Sequence, residues 1–322
     1  MVQEWHKPHI ERRLMSEKYD VAIVGGGVAG LAAGLYSVRL GMSSVLLEKA
    51  VVGGHIINAD VIENYPGFPQ GIKGYDLVTA MRTQALGFGL EVHLNEVEGL
   101  RRQQEKFLLD TPDGEYEASA VIVASGGRRN RLGVPGEAEL EGRGVSYCAT
   151  CDGDFFADQW VAVVGGGDAA LDEALYLTKM CSKVTIAHRR DDVRASHILR
   201  ERAIANPKIE FLWSTVVERV LGEEEVKGVQ VRDLKTQEAA ELPVAGLFVY
   251  TGTTPETAWL KGIVPTDAGG HVVANLWMET QVPGLFAAGE VRQHSARQVV
   301  TVAGDGATAA IAAHRHLRGL TT

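Results

Sequence analysis

Val21-Ala22-Ile23-Val24-Gly25-Gly26-Gly27-Val28-Ala29-Gly30 is the stretch whose reading decides the fold. Its first four residues form a short apolar run that reads as a buried parallel strand. The run enters G-x-G-x-x-G, and residues 31–40, rich in Ala and Leu, read as a helix. A second strand follows over residues 44–48 and ends in an acid, Glu48. Strand, glycine turn, helix, strand and acid, in that order, make a dinucleotide-binding unit. Gly25 permits the turn, Gly27 lets backbone approach a pyrophosphate, and Gly30 lets helix and strand pack closely. The helix N-terminus adds N–H groups and a positive dipole. Glu48 can accept hydrogen bonds from both ribose hydroxyls.

The pattern recurs. Trp160-Val161-Ala162-Val163-Val164 enters Gly165-Gly166-Gly167-Asp168-Ala169-Ala170, the G-x-G-x-x-A variant. A helix over 171–180 and a strand over 184–187 follow. Glu48 lies 23 residues after Gly25, and His188 lies 23 residues after Gly165. The same offset therefore carries an acid once and a basic cluster once: His188, Arg189 and Arg190, with Arg194 four residues on. A carboxylate there suits free hydroxyls and repels a 2′-phosphate, whereas guanidinium groups grip that phosphate bidentately. The first unit fits FAD or NAD, and the second fits NADP.

Between the two turns stands Cys148-Ala149-Thr150-Cys151-Asp152-Gly153. Two thiols at this spacing read as redox chemistry or as half a zinc site. Zinc needs a second ligand pair at matching spacing. The chain has only three Cys, the third being Cys181, and its ten His are scattered, so no metal is assigned. Three Cys are also too few for a disulfide framework. Cys181, at a helix end among apolar residues, reads as a core thiol.

Composition narrows the class. A length of 322 residues favours two domains, and a net charge of −9 argues against nucleic acid as partner. No apolar run is long enough to span a bilayer. Residues 1–18 are polar, lack the apolar centre of a signal peptide and read as a loosely docked extension. A cytoplasmic location, without membrane attachment, is the expectation.

The remaining segments place the boundaries. Residues 51–74 form a Gly-, Pro- and Asn-rich connection too long for a turn. A helix over 76–88 precedes strands at 90–94 and 107–110, with Val97 at a turn between them. Residues 120–127 read as a buried strand ending in small residues, including Ala124 and Gly126, that permit close backbone approach. Short strands and polar turns alternate from 210 to 250, and residues 251–255 read as a return linker. Residues 282–290 read as a strand ending in Gly289 and Glu290, and a helix over 303–317 closes the chain. The expected fold is α/β, with two Rossmann-like dinucleotide-binding domains. The second domain (128–254) is inserted into a first that is split into 19–127 and 255–322.

Taken in order, GGGVAG, GGH, ENYPG, ASGG, CATCDG, GGGDAALDEA, HRRDDVRA and PGLFAAGE followed by RQ resemble the low-molecular-weight, bacterial-type thioredoxin reductases. These are pyridine nucleotide-disulfide oxidoreductases of class II. The resemblance runs from about residue 19 to 317. It implies a homodimer in which a FAD domain is split around an NADPH domain that carries the CxxC. Gly25, Gly27, Gly30 and Glu48 would then hold the FAD adenosine and pyrophosphate, with Val97 offering backbone to the adenine. Gly54, His55 and Asn64 would line the flavin side, with Ala124 and Gly126 nearby. Gly289 and Glu290 would hold the ribitol and pyrophosphate region, and Arg297, Gln298 and Val299 would lie near the isoalloxazine. Gly165, Gly167, Asp168, Ala169 and Ala170 would meet the NADPH pyrophosphate, and His188, Arg189, Arg190 and Arg194 its 2′-phosphate. His55, Ser125 and Glu290 stand where the family commonly has Gln, Thr and Asp.

The implied activity is thioredoxin-disulfide reduction, with electrons passing from NADPH through FAD and the Cys148–Cys151 disulfide to thioredoxin or a thioredoxin-like protein. Cys151 would face the flavin, Cys148 would attack the partner, and Asp152 would handle the thiol proton. The resemblance also implies a rotation of the inserted domain about linkers near 128–130 and 251–255. Rival readings keep the fold and change the donor to ferredoxin or a reduced flavin, or change the acceptor. A further rival is a flavin redox sensor without turnover.

Overall fold

The computed structural model describes residues 17–260 and 262–320. The chain forms two compact units: residues up to Gly54, Val78–Gly126 and from Glu256 onward make the first, and His55–Leu77 with Gly127–Pro255 the second.

The first unit begins with strand β1 (Glu17–Val24), helix α1 (Val28–Arg39) and strand β2 (Ser44–Glu48). Of the segment read as an extension, residues 1–16 lie outside the described residues, and Glu17 and Lys18 belong to β1. Helix α1 starts directly after Gly27, three residues earlier than the Leu and Ala pattern indicates. Helix α2 (Gly74–Gly87), of which Val78–Gly87 belong to this unit, and strand β3 (Glu91–Leu94) follow. An antiparallel run then comprises β4 (Gly99–Gln103), β5 (Lys106–Thr111) and β6 (Gly114–Val123). Strand β6 is longer than expected at its start and stops at Val123, which leaves Ala124–Gly126 in the following loop.

In the second unit, β7 (Gly127–Arg129) precedes β8 (Val145–Ser146), the one-turn helix α3 (Ala149–Asp152), β9 (Trp160–Gly165), α4 (Asp168–Leu177) and β10 (Lys183–Ala187). Next come α5 (His197–Ala205) and strands β11 (Ile209–Leu212), β12 (Thr215–Leu221), β13 (Gly228–Asp233), β14 (Ala239–Leu242), β15 (Gly246–Tyr250) and β16 (Thr253–Pro255). Strand β17 (Leu285–Ala287) and helix α6 (Val299–Leu317) return to the first unit.

The first sheet runs β3-β2-β1-β6-β5-β4, with β17 also on β6. One edge of β6 serves two partners: its start pairs antiparallel with β5, and Val121–Val123 pair in parallel with β17. The split unit is thus closed by its last strand. The second unit has a five-stranded parallel sheet, β11-β10-β9-β15-β8, and an antiparallel sheet, β12-β13-β14. The two stretches read as linkers pair with each other, β7 against β16, as an antiparallel ribbon.

Strand β9 shows why these strands are apolar throughout. Val161 and Val163 pack with Leu171, Leu177 and Cys181 on the helix side. Ala162 and Val164 pack with Val217, Val229 and Val231 of the antiparallel sheet on the other. Both faces are covered, so no polar alternation survives.

Helix α6 is tied to the loop after β17 by a buried ion pair. Arg292 Nε and Nη2 donate to the two Asp305 oxygens at 2.7 and 2.8 Å, and Asp305 Oδ2 also accepts from Gly289 N at 3.1 Å. The two side chains are 15% and 9% exposed. Removing one partner strands the other charge away from water, so Asp305→Ala is expected to destabilise the first unit by about 3–5 kcal/mol. A urea unfolding curve with an unchanged midpoint would contradict this.

Candidate active site

The first glycine turn is built by contact between backbones. Gly25 has φ +108, and a Cβ there would meet the Ala124 carbonyl oxygen at 2.3 Å. A Cβ on Gly30 would come within 1.9 Å of the Gly25 oxygen. A Cβ on Gly27 would meet only Gly54 Cα, at 3.9 Å, and one on Gly126 would meet nothing within 4 Å. Beside this open backbone, Glu48 Oε2 accepts from Gly26 N at 2.7 Å and Oε1 from Ala50 N at 3.0 Å. Each oxygen keeps a lone pair for a ribose hydroxyl. Strands β2 and β3 are parallel, so Glu48 and Val97, just past β3, share the sheet's C-terminal edge. That edge is where ligands bind in such sheets.

Across the same edge, Gly289 and Glu290 follow β17. Burial pushes the Glu290 carboxyl above its ordinary range, and the Arg297 charge only partly opposes this. Such a carboxyl gains from a hydroxyl donor. Arg297 has φ +55, and its Nη2 lies 2.9 Å from His271 Nε2, whose Nδ1 meets Asp267 Oδ1 at 3.1 Å. Gln298 caps α6 through a reciprocal pair with Thr301, and Val299 is the helix's first residue. The open glycine backbone, the half-satisfied Glu48 and the half-buried Glu290 together fit a bound adenine dinucleotide carrying a hydroxylated chain.

His55 and Asn64 are exposed and belong to the segment His55–Leu77, which clusters with the second unit. The segment is anchored there: Thr150 Oγ1 donates to Asn58 O at 2.6 Å, and Lys179 and Arg202 pair with Asp60 and Glu63 at 2.5 and 2.6 Å. The sequence reading had placed this stretch with the first unit.

The second glycine turn repeats the first. Gly165 has φ +152, and a Cβ there would meet Tyr250 O at 2.5 Å and Ala170 Cβ at 2.7 Å. Gly167 is open on its outer side. Asp168 and Ala169 begin α4, and Asp168 Oδ1 accepts from Ser196 N at 2.6 Å. Arg189, Arg190 and Arg194 are exposed at the end of β10, and Arg194 N donates to Gly166 O at 2.7 Å. His188 differs from the other three. It is buried, its Nε2 lies 3.1 Å from Asp192 O, and its ring fills the space a Cβ on Gly166 would need. Burial, with the three arginines adding to it, holds its proton affinity down. His188 therefore supports the turn, and the arginines form the exposed basic cluster.

Cys148 and Cys151 form a disulfide with a Cα–Cα distance of 5.3 Å. Cys148 is 8% exposed and precedes α3, whereas Cys151 is exposed. The sequence had assigned the outward attack to Cys148. Ser146, which sequence reasoning passed over, organises the pair. Its hydroxyl accepts from Cys148 N at 3.0 Å and donates to Asp152 Oδ2 at 2.6 Å. A cleft of about 530 Å³ opens beside Asp152, lined by Arg143, Phe155 and Phe156 among others. Phe155 is 79% exposed. Arg292 and Asp305 were also missed, although an acid inside the Ala-rich run after 303 was a visible signal.

Two nucleotide turns and a redox-active disulfide define a flavin- and pyridine-nucleotide-dependent disulfide oxidoreductase. Comparison with known proteins agrees. Residues 19–307 match the family described as Pyridine nucleotide-disulphide oxidoreductase, and the chain belongs to it. A thioredoxin reductase of Treponema pallidum (strain Nichols) is 43% identical over 303 residues, 94% of this chain and 98% of that protein. One from Streptomyces clavuligerus is 44% identical over 309 residues, 95% of this chain and 96% of that protein. The crystal structure of Lactococcus lactis thioredoxin reductase (FR conformation) superposes with a TM-score of 0.92 at 40% identity, covering 94% of this chain and 100% of that one.

Cys181 is fully buried, and burial raises its thiol to about 11. Its thiolate is scarce at pH about 8, whereas an ordinary thiol of pKa about 8.5 is partly ionised there. After mild reduction, alkylation of the folded protein should modify Cys151 and Cys148 and leave Cys181 untouched until denaturant is added. Mass spectrometry showing Cys181 labelled first would overturn the assignment.

Proposed function

We propose that the chain is a thioredoxin-disulfide reductase working as a homodimer. Bound NADPH and FAD would supply the two electrons that open the Cys148–Cys151 disulfide, and the dithiol reduces thioredoxin or a thioredoxin-like protein. The observation that carries this reading is that the disulfide stands in the same unit as a glycine turn faced by Arg189, Arg190 and Arg194. A guanidinium cluster at that place favours a 2′-phosphate and so NADPH over NADH. FAD in the first unit is supported by Glu48 and by Glu290, whose half-buried carboxyl suits the hydroxyls of a ribitol chain.

The residues of the chain divide the work. The first glycine turn and Glu48 hold the cofactor's pyrophosphate and ribose, and Arg297, Gln298 and Val299 sit at the flavin end. In the second unit, Gly167 and the start of α4 receive the NADPH pyrophosphate. A Cys148 thiolate attacks the partner's disulfide sulfur, and that disulfide's other sulfur leaves and takes a proton. Asp152, held by Ser146, is the group that moves it. Cys151 then attacks the mixed disulfide, restoring the ring and releasing reduced partner. Exposed Phe155 gives a protein substrate an apolar contact beside this chemistry.

Replacing Arg189 and Arg190 together by Ala should raise KM for NADPH by about 10- to 100-fold, the scale of lost charge-assisted hydrogen bonds. KM for NADH should stay nearly unchanged in the same steady-state assay with thioredoxin. An equal loss for both nucleotides would remove the arginines from this role. The thiol order has its own test. Cys151→Ser should accumulate a disulfide between Cys148 and thioredoxin on a non-reducing gel, and Cys148→Ser should not. The reverse outcome exchanges the two roles.

A further inference from the structure

Beneath the disulfide lies a polar chain that the steps above do not use. The amide of Ala149, the residue directly after Cys148, donates to the Tyr250 hydroxyl at 2.8 Å. That hydroxyl is left to donate its own proton, and both it and the Ala149 amide bear on the Glu173 carboxylate. Glu173 lies on α4, Tyr250 ends β15 and Ala149 opens α3, so three elements converge. Glu173 Oε2 is buried with no hydrogen-bond partner among the described residues. The other charged or titratable groups bearing on Glu173 are Asp172 and Tyr176 of its own helix and Arg129 of β7.

We propose that Glu173 and Tyr250 are positioning residues of the dithiol chemistry, linking the charge of Glu173 to the backbone between the two cysteines. This rests on the disulfide-reductase reading and deepens it. In the oxidised ring, the donors nearest Cys148 are already engaged. Ala149 N–H is given to Tyr250, and the Thr150 hydroxyl, 3.4 Å from the Cys148 sulfur, is given to Asn58 O. When two electrons break the S–S bond and one proton is taken up, one thiol and one thiolate result. The new negative charge raises the proton affinity of Glu173, which takes the second proton. With Glu173 neutral, Tyr250 is no longer drawn toward a carboxylate, and the Ala149 amide is free to turn toward the thiolate sulfur. Burial first, and the neighbouring Asp172 next, already set Glu173 at about 7, where such an exchange falls within the physiological range.

The test needs neither NADPH nor thioredoxin, so its failure is separable from failure of the reductase reading. The flavin-loaded full chain is equilibrated with dithiothreitol buffers between about pH 5.5 and about 8.5, and the Cys148–Cys151 pair is read by alkylation and mass. Dithiothreitol closes to its cyclic disulfide and supplies the two electrons and two hydrogens, one ending on a cysteine and one on Glu173. The constant for reduction should fall with rising pH about three- to tenfold more in the wild type than in Glu173→Gln. Tyr250→Phe, which keeps Glu173 but removes the hydroxyl shared between it and the Ala149 amide, should follow the shallower Gln curve. Wild-type and Glu173→Gln curves that run parallel would overturn the proposal. So would a Tyr250→Phe curve that follows the wild type. If Tyr250→Phe does not fold, the Glu173→Gln comparison decides alone.

Discussion

At the first turn, α1 lies so close to the chain beneath it that one added carbon on Gly30 would come within 1.9 Å of the Gly25 oxygen. On its other side, a Cβ on Gly306 would meet the Ala29 oxygen at 2.1 Å. Helix α1 is therefore clamped, with its own turn below and α6 alongside, at distances only glycine tolerates. What the clamp holds follows from it. The N–H groups at the start of α1 are aimed over the glycine turn. Glu48 is set against Gly26, and Gly289, whose Cβ would touch Ala29, is delivered to the same place by the Asp305 and Arg292 pair.

The second unit solves the same problem with different contacts. Gly165 lies against the Tyr250 carbonyl, so the last residue of β15 is pinned to the nucleotide turn. The side chain of that residue reaches Ala149. One strand end thus touches both the second glycine turn and the loop that carries the disulfide. Space beside the middle glycine, left to Glu48 in the first unit, is filled here by the His188 ring. The acid-to-base change that distinguishes the two units is therefore also a packing change.

Features with short sequence range were legible. Both glycine turns, β2 to the residue and the CxxC follow from neighbours within about one helical turn or strand length. Features whose cause lies far along the chain were not. Nothing in His188-Arg189-Arg190 says that the first of the three turns inward under Gly166. Tyr250 and Glu173 meet only because β15 and α4 lie side by side. Helix α5 escaped because it has no apolar stripe: among its residues only Ala203 is buried. Strand β4 has a single buried residue, Leu100, and its Arg and Gln content masks its pairing with β5. The anchoring of His55–Leu77 depends on ion pairs to Lys179, just past α4, and to Arg202 of α5, which no local pattern announces.

Strand β6 takes β5 on the first half of one edge and waits for β17 on the second. These partners lie on opposite sides of the inserted sequence. A chain emerging from a ribosome has every strand of the five-stranded parallel sheet in hand before Leu285 exists. During that interval Val121–Val123 present an unpaired edge, three apolar residues long. The order of synthesis therefore favours an inner unit that closes early and an outer one that stays open until its final segment arrives. The insertion that brings two nucleotide turns into one polypeptide also makes the first of them the last to be completed.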